Sequence, residues 1–444
     1  MKGFLIAGTN SGIGKTTISA GLMSCFNDVS PFKCGPDYID GKYHEYVTKN
    51  KSYNLDYFLM GEEGIKYSFF KHHKNISIVE GVMGLYDGID NSLDNGSSAH
   101  ISRVLNLPVI LVVDGIGKST SIAAQILGYK LFDERVNIKG VIINKVSSEK
   151  TYNIFKEAIE KYCGIKCFGY IKKNEVLSIS SRHLGLLQAD EVEDLNKKIE
   201  IIKNEIKKSV DIEGIYNICD IDIKKEQNKN YDIFSSLKDR YRGLKIGIAK
   251  DMAFSFYYND NIEFLENLGI KIKYFSPLFD NNIPDVDMLY FGGGYPENFA
   301  DELSNNISMK NSIKDFYENG GVIFAECGGF IYMCDELQKN GKSYKFNGFI
   351  DNIIEMKEKL DIKRFGYVNI NYNGENIGKG HEFHYSVIKK DEEDKKIFEI
   401  SKQDGRSWRC GYSKKNLLAG YPHIHFFKSQ KIIFEMLDKA WERR

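Results

Sequence analysis

The segment GTNSGIGKTT, residues 8–17, follows the apolar run GFLIAG and leads into the helix-forming TTISAGLMSCF. A glycine-rich turn between a strand and a helix, ending in Gly-Lys-Thr, restricts the chain severely. Its backbone N–H groups converge on a phosphate, and the helix N-terminus adds positive potential. The spacing departs from the common loop, because Gly8 and Gly14 enclose five residues rather than four. The strand–loop–helix context therefore carries the reading. Lys15 is placed to neutralise the β- and γ-phosphates of ATP, and Thr16 to offer its hydroxyl to Mg2+. Gly12, Gly14 and Thr17 complete the expected cradle.

Such a loop needs a parallel sheet, and the surrounding sequence supplies one. GFLIAG (3–8), ISIVEG (76–81), VILVVDG (109–115), GVIINKV (140–146) and KCFGYI (166–171) are near-continuous apolar runs of strand length. Helix-like stretches separate most of them, as in crossover connections. Loops at the C-terminal ends of such strands are where ligands bind. KCGPDYIDG (33–41), read as a Gly/Pro loop, carries Lys33, Asp37 and Asp40, and EGVMGLYDG (80–88) carries Glu80 and Asp87.

At 444 residues the chain is too long for one ordinary core. Val192, Leu195, Ile199, Ile202, Ile206 and Val210 form the stripe of an amphipathic helix, and DIKKEQNKNYD (222–232) reads as a linker. A second strand series then begins with LKIGIAK (244–250), IKIKYF (270–275), MLYFGGG (288–294) and GVIFAECGG (321–329). The expected division is 1–190, then helix and linker over 191–243, then 244–444, giving two α/β domains in tandem.

The 61 basic and 61 acidic side chains balance, which argues against a nucleic-acid footprint or a polybasic membrane patch. The longest apolar runs have strand length, and the glycine loop arrives before any signal-peptide core could form. A cytoplasmic, soluble protein is expected. Its eight cysteines are then free thiols, including the close pair in CGIKC (163–167).

One of those thiols stands apart. GVIFAECGGF sets Cys327 at the end of an apolar strand with two glycines after it, the pattern of a nucleophile on a tight turn. FGGGYPE (291–297) offers a second glycine loop for oxyanion donors. GYPHIHFF (420–427) offers His423 and His425, one of which would face the thiol as its base.

FKCGPDYID, EGVMGLYDG, SRHLGL (181–186), FGGGYPE, AECGG, GHEFHYS (380–386) and NLLAGYPHIHF (416–426) occur in this order across nearly the whole chain. As an ordered set they resemble the cobyrinate a,c-diamide synthase family, glutamine-dependent amidases of corrinoid biosynthesis. The resemblance implies an ATP-binding synthetase domain similar to dethiobiotin synthetase, followed by a class I glutamine amidotransferase domain. It implies ATP and L-glutamine as co-substrates, Mg2+, and a cobyrinate-like tetrapyrrole whose a and c acetates are amidated through an acyl phosphate. A homodimer is left open.

Carried over by position, Cys327 is the glutaminase nucleophile and His423 its base. His425 stands where many class I amidotransferases have glutamate, which leaves the third triad member open. Gly293, Gly294 and the Gly328 N–H surround the oxyanion. Lys15, Thr16 and Lys33 belong to the triphosphate site, with Thr16 and Glu80 toward the metal. Asp37, Tyr38 and Asp87 lie in substrate or intermediate loops. Arg182, His183, His381, Glu382 and His384 receive no role. The same motifs also suit nickel-sirohydrochlorin or hydrogenobyrinate as substrate. A more distant alternative is a ParA/MinD-like ATPase switch, whose signature lysine would stand where Asn10 does.

Overall fold

The computed structural model describes residues 1–174, 189–222, 234–359, 362–389 and 395–444, and of 189–193 the backbone alone. The SRHLGL motif, with Arg182 and His183, lies outside the described residues, as does nearly all of the expected linker. The chain divides into two compact units, Met1–Ile233 and Phe234–Arg444. Among the described residues no helix is long and apolar enough to cross a membrane.

The first unit is built on seven parallel strands, β1 (Lys2–Gly8), β2 (Val29–Cys34), β3 (Tyr53–Leu55), β4 (Ile76–Glu80), β5 (Val109–Asp114), β6 (Ile138–Val146) and β7 (Lys166–Lys172). Their order is β3-β2-β4-β1-β5-β6-β7. Strands covered by helices on both faces bury successive residues, which is why they read as unbroken apolar runs. The sheet residues Phe4, Ile6, Ile78, Ile110, Val112 and Ile142 pack with Ile18 and Leu22 of the helix Lys15–Met23. Ile202 and Ile206 of the helix Ala189–Ser209 join the same core. Each such side chain stabilises the unit by about 1.5–3 kcal/mol.

The sequence reading missed β2 and β3. Pro31 lies within β2 and removes a ladder donor, so the run did not look like a strand. As a result Lys33 sits in a buried strand rather than a loop, and Asp40 sits in the first turn of the helix Ile39–Thr48.

In the second unit, a ten-stranded sheet begins with parallel strands Lys271–Phe275, Lys245–Ala249, Met288–Phe291, Val322–Glu326 and Leu417–Gly420. It continues antiparallel through Ser407–Lys414, Lys396–Ser401, Gly366–Tyr372, Glu375–Glu382 and His423–Ile424. The four strands expected from sequence are present. All eight cysteines are free. Cys163 closes the helix Glu149–Cys163, while Cys167 lies in β7. Cys334 follows the helix Gly328–Met333 and opens the strand Cys334–Lys339.

Candidate active sites

The phosphate loop joins β1 to the helix Lys15–Met23 at the centre of the first sheet. Gly14 caps the helix at φ 100°, in the left-handed region, and a Cβ there would fall 2.3 Å from Asn144 Nδ2. Only glycine meets both conditions. Asn144, at the C-terminal end of β6, donates to Ile13 O at 2.7 Å and so ties the loop to the sheet. Lys15 Nζ donates to Asn10 O (3.2 Å) and Met83 O (2.6 Å), spanning the loop and the segment after β4. Burial, then the neighbouring Lys33 charge, pulls its ammonium down to about 8. Gly12 is exposed in the loop, and Thr17 lies in the first turn of the helix.

Beside the loop, one carboxylate gathers the other expected residues. Thr16 Oγ1 donates to Glu80 Oε1 at 2.7 Å, and Lys33 Nζ lies 3.3 Å from the same oxygen and 2.8 Å from Asp40 Oδ2. His44 Nε2 lies 2.7 Å from Glu80 Oε2, and both side chains are fully buried. Burial alone would raise the Glu80 carboxyl, but Lys33 and the hydrogen bonds from His44 and Thr16 hold it well below the usual range. In turn, Glu80 and Asp40 outweigh the burial of Lys33 and hold its ammonium above the usual lysine range. Lys33 and Glu80 are ionised because each faces a partner of opposite charge.

Asp37 accepts from Ile39 N at 2.7 Å, just before the helix that Tyr38 caps. Burial, then the Asp40 charge, pushes Asp37 up to about 6. Asp87 is exposed, and its Oδ2 accepts from Gly84 N at 2.8 Å, closing the turn after β4. Sequence reasoning missed His44 and Asn144. Asp40 and His44 stand four apart on one helix, a spacing that puts both on the face toward Glu80 and that would have flagged the histidine.

The donor set suits a magnesium ion. Thr16, Glu80 and Asp40 offer oxygen atoms only, as a hard cation requires. Among the described residues no three His, Cys, Asp or Glu side chains form a metal cage by themselves. A nucleotide-bridging magnesium needs only one or two carboxylates from the protein.

In the second unit, Cys327 follows the strand Val322–Glu326 and precedes the helix Gly328–Met333, with φ 49° and ψ −102°. This is the strained turn that the sequence pattern implies. Its N–H donates to Gly420 O at 2.8 Å. Gly293 and Gly294 run alongside: a Cβ on Gly328 would lie 3.0 Å from Gly294 N, and one on Gly293 would lie 2.2 Å from His423 Cε1. Gly293 is thus a close-approach glycine, with the elbow near its backbone and the His423 ring against its Cα.

The thiol and the imidazole are both buried and both neutral at rest. Burial above all, then the Glu297 charge, pushes the Cys327 thiol well up, opposed by the Gly328 N–H. Burial, then His384, pulls His423 down to about 3. His381, which the sequence left without a role, stacks on His423 at 4.8 Å and 7°, and its Nε2 lies 2.7 Å from Tyr258 OH. His384 Nε2 faces Glu382 Oε2 at 3.4 Å, and its ring stacks on Tyr421. The strand His423–Ile424 ends before His425, whose Nε2 is 3.9 Å from Asp260 Oδ2. The structure therefore places His425 toward Asp260.

Two family profiles match the chain. The CobQ/CobB/MinD/ParA nucleotide binding domain matches residues 4–187, and the CobB/CobQ-like glutamine amidotransferase domain matches residues 245–431. The cobyrinate a,c-diamide synthase of Fusobacterium nucleatum subsp. nucleatum is 60% identical over 443 residues, covering 98% of this chain and 100% of that protein. Those of Caldanaerobacter subterraneus subsp. tengcongensis and Clostridium tetani are each 42% identical, covering 98% and 99% of this chain and 98% and 100% of theirs. Such full-length likeness does not favour an ATPase switch with a degenerate second domain.

Proposed function

The chain belongs to the cobyrinate a,c-diamide synthase family, and from that premise we propose how its two sites divide the work. The protein is a carbon–nitrogen ligase that uses ATP and glutamine to amidate the a and c acetate side chains of cobyrinate. The observation that carries the reading is the full-length likeness of a chain in which both the phosphate loop and the thiol elbow are intact.

In the first unit, loop 8–14 and the helix start take the β- and γ-phosphates, and Lys15 turns from the carbonyls of Asn10 and Met83 to the phosphate oxygens. Lys33 stabilises charge on the phosphoryl group in transfer. Thr16 and Glu80, with Asp40 beside them, would hold Mg2+, which supplies charge neutralisation on the phosphates. An acetate oxygen attacks the γ-phosphorus, ADP leaves, and an acyl phosphate forms. Ammonia attacks the acyl carbon, phosphate departs with the C–O electron pair, and the nitrogen sheds a proton. Asp37, Tyr38 and Asp87 contact the macrocycle or the acyl phosphate from the loops.

In the second unit, His423 takes the Cys327 proton and the thiolate attacks the glutamine amide carbon. The amides of Gly328 and the Gly293–Gly294 segment receive the oxyanion. His423 returns the proton to departing ammonia, and water hydrolyses the thioester to glutamate. His425, turned toward Asp260, supports the turn and relays no proton.

The test is product analysis by mass spectrometry with ATP and amide-labelled 15N-glutamine, on cobyrinate, hydrogenobyrinate and nickel-sirohydrochlorin side by side. Doubly labelled diamide from cobyrinate is expected. Failure on cobyrinate alongside turnover of another macrocycle overturns the assignment.

A further inference from the structure

Glu326 immediately precedes the nucleophile and is buried at 3% exposure in the otherwise apolar strand VIFAE. An ionisable group in such a position is retained only if its polar atoms are engaged. Each oxygen has one partner. Oε2 accepts from Tyr290 OH at 2.6 Å, and Oε1 accepts from Ile424 N–H at 2.8 Å. Ile424 is the residue after His423, so the neighbour of the nucleophile grips the neighbour of the base.

The gripped segment is short. Its strand is two residues long and pairs only through Gly380↔Ile424 and His381↔His423. Asn261 clasps the same backbone, its Nδ2 donating to Ile424 O at 2.9 Å and its Oδ1 accepting from Phe426 N at 2.8 Å. Two buried side chains, Glu326 and Asn261, thus hold the main chain that carries His423.

We propose that Glu326 is a positioning residue of the glutaminase: it fixes the backbone of His423 relative to Cys327 through the Ile424 N–H. The proposal rests on reading Cys327 and His423 as the glutaminase pair. It requires a hydrogen-bond acceptor at Glu326, and no proton transfer by it.

The experiment measures steady-state glutamine hydrolysis by the full chain for Glu326→Leu, Glu326→Gln and Asn261→Ala, with thermal unfolding of each. Glu326→Leu fills the space but leaves the Ile424 N–H without its acceptor. It should lower kcat about a hundredfold while the glutamine KM stays within about threefold. Glu326→Gln keeps an oxygen for that N–H and should bring kcat back to within about fivefold of wild type. Asn261→Ala releases the segment from its other side and should lower kcat about tenfold. It also keeps the test open if Glu326→Leu melts early. Wild-type kcat in Glu326→Leu, or equal damage from Glu326→Gln, overturns the proposal. Cys327→Ala and His423→Ala separate the two levels. Hydrolysis surviving in both sinks the pair itself, whereas inactive controls beside an unimpaired Glu326→Leu sink only the grip.

Discussion

The two sites bury ionisable groups to a similar depth and leave them in opposite states. Around the phosphate loop, Lys33 and Glu80 are buried yet charged, because each faces a partner of opposite sign. At the elbow, Cys327 and His423 are equally buried and neutral, because desolvation outweighs every neighbour. Burial alone does not set charge; what faces the group decides. The difference suits the chemistry. A polyanion and a cation must be met by charges already in place, whereas a nucleophile that is charged only with substrate present is protected from stray electrophiles.

Substituting Lys15 tests the charged side most severely. Lys15→Ala should reduce amidation about a thousandfold or more with either glutamine or ammonia, while glutamine hydrolysis continues. Near-normal product from this variant would leave the phosphate loop without its role. Cys327→Ala should abolish only the glutamine route, again by about a thousandfold. Ammonia at high concentration and raised pH should restore diamide formation, and failure of that rescue would mean that the sites are not chemically separable. Asp87→Asn should slow synthesis about tenfold and spare hydrolysis, since Asp87 belongs to the first unit. A collapse of hydrolysis instead would assign that loop to the wrong reaction.

A pH dependence reads the neutral side directly. Because burial raises the Cys327 pKa, its thiolate is scarce at neutral pH and grows as pH rises. Iodoacetamide labelling of Cys327 without substrates should climb about tenfold per unit between pH 7 and 9 and slow correspondingly on acidification. Peptide mapping should find Cys334, fully buried, unlabelled throughout. A plateau already reached at pH 7 would mean that the resting thiol is ionised and would erase the contrast between the sites.

Sequence patterns revealed the parallel cores because doubly covered strands bury every residue, and they revealed both loops because glycine there has few alternatives. They did not reveal β2, where Pro31 masks a strand, or β3, only three residues long. Lys15, Thr16, Lys33 and Glu80 were named in advance, and the structure brings Thr16, Lys33 and Glu80 into one hydrogen-bonded group. His44 and Asn144 stayed hidden because their importance comes from partners 36 and 131 residues away. Glu326 did leave a trace, a lone carboxylate inside an apolar run, but its partner Ile424 is 98 residues on, beyond any local pattern.

The left-handed backbone at Cys327 has a consequence for inheritance. A residue with a side chain held at φ 49° carries about 1–3 kcal/mol of conformational strain that glycine would largely escape. At this position, selection for a robust fold and selection for turnover pull in opposite directions. A lineage supplied with ammonia from elsewhere would lose the cysteine readily and become sturdier by doing so. Keeping a thiol on that turn is favoured only while nitrogen is drawn from glutamine.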